Sequence, residues 1–275
     1  LPLRKADGQL EALVNWYSFR VRQVCSDSNK ALPLLTAIAS DLASRAKRIS
    51  LFPLPDENGE TTLLADAFRA AGWAVFRETH DCNHYLEVKG RSYADYLADR
   101  PGPLRTTLKR KASKVTVRLT ETFSDADWDI YEAIYRQSWK PEEGVPAFLR
   151  RFAREEAAAG RMRLGFAYAG DEPVASQFWT VEGGCAFIHK LAHTEASKPL
   201  SPGTTLSAAL FERVIDRDGV KSVDFGTGND GYKRDWMEEV RHRYRLDMAR
   251  PGHPGNWPML ARKVMRRLAG KANHG

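Results

Sequence analysis

Between Val223 and Trp236 the chain reads Val-Asp-Phe-Gly-Thr-Gly-Asn-Asp-Gly-Tyr-Lys-Arg-Asp-Trp, its densest grouping of residues able to do chemistry. Asp224, flanked by apolar residues, leads through Gly226, Gly228 and Gly231 into Tyr232 and Lys233. The order predicts a short strand opening into a backbone-lined cleft with an ammonium at its mouth, because glycine admits turns and close approach of a ligand. The spacing is not a dinucleotide fingerprint: the third glycine comes early, and no long amphipathic helix follows with an acid about twenty residues on. A second motif, Ser201-Pro202-Gly203-Thr204-Thr205, opens a helical stretch. The free amides and positive dipole end of a first helical turn form a seat for pyrophosphate. Each motif also has a plain structural reading, as a glycine turn and as a capped helix.

The elements that must position these motifs follow from periodicity. Helices are predicted over 32–46 and 61–71, the second ended by Gly72, with strands at 49–54, 73–77 and 84–88. Residues 92–115 read as a helical connector broken at Arg100-Pro101-Gly102-Pro103 and strongly basic through Lys114. A strand at 115–119 then precedes helices over 125–139, capped near Ser124, and 146–159, begun at Pro146 and closed by Gly160. Three strands, 162–169, 173–181 and 185–192, are joined at Gly170-Asp171 and Gly183-Gly184. A helix over 204–218, a strand over 221–225, a short helix near 232–239, a strand over 240–248 and an amphipathic helix over 257–269 complete the order.

From about Thr116 to Met248 this order, the Ser-Pro-Gly turn and above all Asp224-Phe225-Gly226-Thr227-Gly228 with Tyr232-Lys233 and Trp236 resemble the GNAT-type acyltransferases, most closely the CelD-like and FemAB-like branch. The likeness covers the last 160 residues or so with motifs, and the first hundred only in the order of elements. It implies an α/β fold of tandem GNAT-like lobes: a degenerate lobe over 1–100 and a transferase lobe over 101–275, with mixed, mostly antiparallel sheets flanked by helices. Leu1 opens in strand-like sequence without an initiating Met, so an incomplete N-terminal lobe is expected.

The resemblance further implies acyl-coenzyme A as co-substrate, lying in a splay between the strands 185–192 and 221–225. Its pyrophosphate would meet the amides of Gly203, Thr204 and Thr205, with Ser201, Gly226 and Gly228 lining the cleft. One departure bears on the donor: the usual Arg or Gln before Gly-x-Gly/Ala is absent, and the loop is reduced to Ser-Pro-Gly. Fem proteins use aminoacyl-tRNA instead, and the basic run 105–114 could accommodate one. A GNAT-like module that only binds an anionic carbohydrate or lipid is the third reading.

Acyl transfer to an amine needs a neutral amine, a route for its proton and a donor to the developing oxyanion. Alternation along 185–192 puts His189 on one strand face, and an ordinary imidazole can take a proton at neutral pH. His193, Glu195 and Asp224 are the alternative bases. Lys233 is a candidate for holding a phosphate or the oxyanion and Tyr232 for assisting the leaving thiolate, while Trp236 packs the turn. Pairing of Lys233 with Asp235 or Asp230 on a surface turn is the competing reading.

Composition bounds the rest. The 275 residues are 43% hydrophobic and 28% charged, globular proportions, with no run of apolar residues long enough to span a bilayer and no signal peptide. Three widely spaced cysteines argue against a disulfide framework and for a reducing, cytoplasmic setting. Cys82 and His84 could supply two metal ligands, but no second pair stands at ligand spacing, so no metal is expected. Of the net charge of +7, residues 241–275 carry nine Lys or Arg against one acid, and 100–120 carry seven against none. Such patches favour anionic partners. Trp257, Leu260, Ala261, Val264 and Leu268 form a stripe beside Arg262, Lys263, Arg266 and Arg267, suited to a helix lying on an inner-membrane surface or packed on the sheet. The expected acceptor is a primary amine on a small molecule, a lipid or an envelope sugar.

Overall fold

The structure is a computed structural model that describes residues 1–6, 8–25 and 27–272, the backbone alone at 28 and 267–272. It divides into two compact units, Leu1–Cys82 with the stretch from Arg241 onward, and Asn83–Val240.

In the first unit β1 (Leu3–Ala6) and β2 (Gln9–Ala12) pair as an antiparallel hairpin. Helix α1 (Ala31–Arg45) buries Leu35, Ala39 and Leu42 at helical spacing and leads into β3 (Arg48–Leu54), which pairs parallel with β2. Helix α2 (Glu60–Ala70) buries Leu64 and Phe68, and Gly72, at φ +81°, turns the chain as expected. Strand β4 (Ala74–Glu87) is continuous where the sequence suggests two strands. Its polar residues 78–80 are exposed, so they interrupt the apolar pattern without breaking the strand.

The second unit follows. Helix α3 (Tyr93–Ala98) is closed by a capping box between Ser92 and Asp95, and α4 (Gly102–Lys111) forms the basic connector. Strand β5 (Thr116–Thr120), α5 (Asp125–Arg136) capped by the Ser124 hydroxyl, and α6 (Pro146–Ala158) precede the meander β6 (Met162–Ala169), β7 (Glu172–Glu182) and β8 (Cys185–His193). Helix α7 (Pro202–Glu212), β9 (Ser222–Thr227) and α8 (Lys233–Trp236) complete the unit. The helix expected to reach Asp218 keeps α geometry only to Glu212, and Arg213–Arg217 forms a wider π turn.

The chain returns to the first unit through β10 (Glu239–Ala249), antiparallel to β3 with Ser50 opposite Asp247, and ends in α9 (Trp257–Ala272). The compact units therefore do not follow the boundary expected at residue 100. Residues 83–100 add Leu86, Val88 and Tyr96 to the second core, whereas Leu246 and Met248 join Leu51, Leu64 and Phe68 in the first. A strand's own pattern does not reveal its partner, which is why the sequence misplaces both segments.

Within the second unit the sheet runs from the end of β4 through β9, β8, β7 and β6 to β5, antiparallel except between β8 and β9. Trp179, Phe211, Val223, Phe225 and Trp236 are buried between it and its helices. Trp236 stacks on Phe211 at 4.9 Å, the packing role its motif suggests. Gly165 on β6 sits directly under α7: a Cβ there would lie 2.8 Å from Leu206 and 2.9 Å from Leu119 side-chain carbons, so only glycine lets the helix come this close.

Candidate active site

Strands β8 and β9 share three register pairs, Cys185 with Ser222, Ala186 with Val223 and Phe187 with Asp224. Beyond them β8 continues to His193 and β9 to Thr227 without a common ladder. The far edges stay zipped, β8 to β7 as far as His193 opposite Ala175, and β9 to β4 as far as Thr227 opposite Asn83. Two strands held on their outer sides and released from each other open a wedge between them. Ligands favour such splays.

Helix α7 begins near this mouth. Ser201 adopts a left-handed conformation, φ 53°, and Lys111 Nζ donates to its Oγ at 3.0 Å, bringing the end of basic α4 to the start of α7. The first-turn amides are fewer than the sequence suggests. Thr204 and Thr205 N–H groups both donate to the Ser201 carbonyl, at 3.2 and 3.3 Å, and Pro202 has none, so the Gly203 amide is the remaining donor. The buried Gln177 amide fixes this turn by donating to Gly203 O at 3.0 Å and Ser207 Oγ at 2.8 Å, while its own oxygen accepts from Trp179 Nε1. Gln177 and Lys111 carry no motif. Only the basic run around Lys111 signals either of them in the sequence.

The glycine turn is held by bonds to its own backbone and to Asn83. Asp224, fully buried, accepts from Asn83 Nδ2 at 2.5 Å and from the Gly226 amide at 2.8 Å. Lys233 is also buried, its ammonium donating to the carbonyls of Thr227 at 2.5 Å and Gly228 at 3.3 Å and lying 3.6 Å from Asp230. Gly226 and Gly228 have φ of +68° and +96°, and a Cβ on Gly228 would meet the lysine Nζ at 3.4 Å. Lys233 is thus a clasp on the turn's own carbonyls. The buried Tyr232 phenol is held above its usual pKa by burial and then by Asp230, so it stays protonated. His84, fully buried, is held below its ordinary pKa first by burial and then by Lys233 and Arg234, against the opposing effects of Asn229 and Asp230.

The two histidines of β8 differ sharply. His189 lies between Phe178, stacked at 5.2 Å, and Phe152, edge-on at 5.2 Å, with Nε2 2.8 Å from the Thr180 hydroxyl. Burial, and then Lys190, lower its pKa to about 3, so it does not collect protons at neutral pH. His193 ends the strand at the wedge, with Nδ1 3.0 Å from the Thr194 carbonyl. A carbonyl only accepts, so Nδ1 carries a hydrogen, and in the neutral ring Nε2 is then the nitrogen with the lone pair. The ring packs 4.4 Å from Trp139, and its Cδ2 lies 3.5 Å from the position of a Cβ on Gly203. Glu195 lies on the helical turn after β8, its amide donating to the Gln137 carbonyl at 3.4 Å.

Among the described residues no three His, Cys, Asp or Glu side chains could hold one metal ion, and no helix is long and apolar enough to cross a membrane. On α9, Lys263 is taken by Glu78 and Asp247, both at 2.7 Å, which removes it from the free basic face expected there. Leu268 and Arg267 of the expected stripe lie outside the described side chains.

With this geometry in place, residues 104–234 match the model of the Acetyltransferase (GNAT) domain family. No curated protein matches the chain. Three solved structures share its fold. FemX aligns with TM-score 0.63 at 10% identity, covering 89% of this chain and 82% of its own. The C-terminal domain of a putative lysylphosphatidylglycerol synthetase from Agrobacterium fabrum gives 0.60 at 13%, covering 96% and 84%. A tandem GNAT protein from the clavulanic acid biosynthesis pathway gives 0.51 at 14%, covering 85% and 76%. The chain therefore has a tandem GNAT-like α/β fold, and the family matched by residues 104–234 is one of acyl-group transferases.

Proposed function

We propose that the chain is an N-acyltransferase of the CelD-like and FemAB-like branch that moves an acyl group from acyl-coenzyme A to a primary amine. The observation that carries this reading is the release of β9 from β8 after three pairs, which leaves a slot for an extended thioester arm beside the start of α7. Phosphates of the donor meet the Gly203 amide and Lys111, with exposed Arg105, Lys109 and Arg110 along α4 and Lys114 just after it as the wider anion field. His193 Nε2 takes the ammonium proton. The freed amine attacks the thioester carbonyl, the C–N bond forms and the C–S bond breaks; the thiolate leaves with the proton returned from His193, whose Nε2 then takes the second proton, shed by the new amide nitrogen, and passes it to solvent. Tyr232 hydrogen-bonds the developing anion without surrendering its own proton, and Asp224 and Lys233 hold the turn that presents it. Measuring thiol release with a panel of acyl-coenzyme A donors and amines tests the reaction. Absence of donor binding in calorimetry removes it.

The unpaired basic run on α4 favours a second reading, an aminoacyl-tRNA donor in the manner of Fem proteins. Transfer from charged tRNA with no thiol release from any acyl-coenzyme A selects it. A peripheral membrane role rests on α9, where Trp257 is 60% and Met265 63% exposed beside exposed Arg262 and Arg266. It predicts co-sedimentation with phosphatidylglycerol vesicles that weakens in Trp257→Ala, and a chain left wholly in the supernatant refutes it.

A further inference from the structure

Helices α5 and α6 are joined by Arg150, which pairs with Asp125 and Asp129. The segment between them, with Pro141 at its centre and Pro146 starting α6, leaves a cavity of about 530 Å³. Trp128, Tyr131 and Tyr135 on α5 and Leu149 on α6 give it an aromatic and apolar side, and Lys140 shares the rest of the lining with Arg136, Glu132, Glu142 and Glu143. A cleft of this size and lining suits a small ligand oriented by a few polar groups.

The charges around it are unequally compensated. Lys190 is neutralised by Glu143, whose carboxylate lies 2.7 Å from its Nζ. Burial, and then that carboxylate, push the Tyr135 phenol up to about 12, so it remains a hydrogen-bond donor. Lys140 is half-buried, yet among the described residues no carboxylate pairs with it. Aromatic faces hold its ammonium instead, Trp139 at 5.1 Å and Tyr232 at 6.0 Å. Burial is the main cause lowering its pKa, Asp230 opposes this, and Lys233 and Lys190 add to it. A partly desolvated cation without an anion leaves its donors open to a ligand.

Trp139 ties the cavity to the reaction, because its indole packs on His193 on one hand and under the Lys140 ammonium on the other. We propose that this cavity receives the amine acceptor and selects acceptors bearing a carboxylate or phosphate a few bonds from the amine, held by Lys140, with the remainder covered by the aromatic wall. The inference rests on the transfer reading and adds the chemical class of the acceptor. A neutral amine would leave Lys140 with only the more distant Asp230 to offset its charge, while an anionic one pairs with it directly.

The test is equilibrium binding without any donor, by calorimetry, to the full chain and to Lys140→Gln and Lys140→Arg. The probes are L-phenylalanine against L-phenylalaninamide, and O-phosphoethanolamine against ethanolamine. At least one anionic probe is expected to bind the unaltered protein about tenfold more tightly than its neutral counterpart, a preference lost in Lys140→Gln and kept in part by Lys140→Arg. The pair that shows it identifies carboxylate or phosphate as the anion. Equal binding of neutral and anionic probes, a preference unchanged in Lys140→Gln, or no binding by any of the four overturns the proposal. Thiol release with neutral amines would survive that failure, and binding of an anionic amine would survive a failure to observe transfer, so the two readings fall separately.

Discussion

The glycine turn of β9 and the rim formed by Trp139, Lys140 and His193 lie in the same unit but engage their polar groups in opposite ways. In the turn, Asp224 and Lys233 bond to neighbouring backbone and to Asn83. At the rim, among the described residues, no side chain bonds His193 Nε2 and no carboxylate lies within ion-pair distance of Lys140. The residues that mark the site in the sequence build its frame, and those with chemistry to offer stand beside it. Groups saturated by the fold give rigidity, and groups left unsaturated await a ligand.

The sharpest way to break this contrast is His193→Gln, expected to lower kcat by about 10²- to 10⁴-fold with little change in KM. Turnover within a factor of a few would return the base to another residue. Next in size, Asp224→Ala should cost about 3 kcal/mol in urea unfolding, since it strips a buried amide and the Gly226 N–H of their acceptor. Lys233→Met should cost about 1–3 kcal/mol of stability and reduce kcat less than His193→Gln does. A loss of kcat equal to that of His193→Gln, with stability unchanged, would invert the comparison and make the lysine the group that touches substrate.

The last comparison concerns pH. His189 and His84 are held below their ordinary pKa, so the unfolded chain binds protons that the folded one refuses once the pH falls below about 6.5. Stability therefore declines from there toward pH 3, by up to about 1 kcal/mol per pH unit for His189. His189→Gln should flatten that slope in acid unfolding curves. An unchanged slope would mean that the aromatic sandwich does not exclude the proton.

The meander, the Ser124 cap, Pro146 at the head of α6 and the glycine that closes it were all legible, because each depends on residues close in sequence. So was the parting of two strands beside a helix start. What pattern could not give was the partner of each group. Lys233 reads as an exposed ammonium until its turn folds back over it, and His189 and His193 share a strand face in the sequence but not an environment. Asn83, between Cys82 and His84, is the amide that secures Asp224. These are contacts between residues 140 positions apart or a few residues around a bend, and propensity carries no record of either.

The absent side chain at Gly165 has a consequence for what the enzyme can accept. It sets how closely α7 settles on β6, and the same helix carries the Gly203 amide at its start. A single added methyl would act as a shim, lifting the helix and tilting its leading end without altering any residue at the mouth. Donor preference could thus be tuned from beneath the floor, by thickness alone.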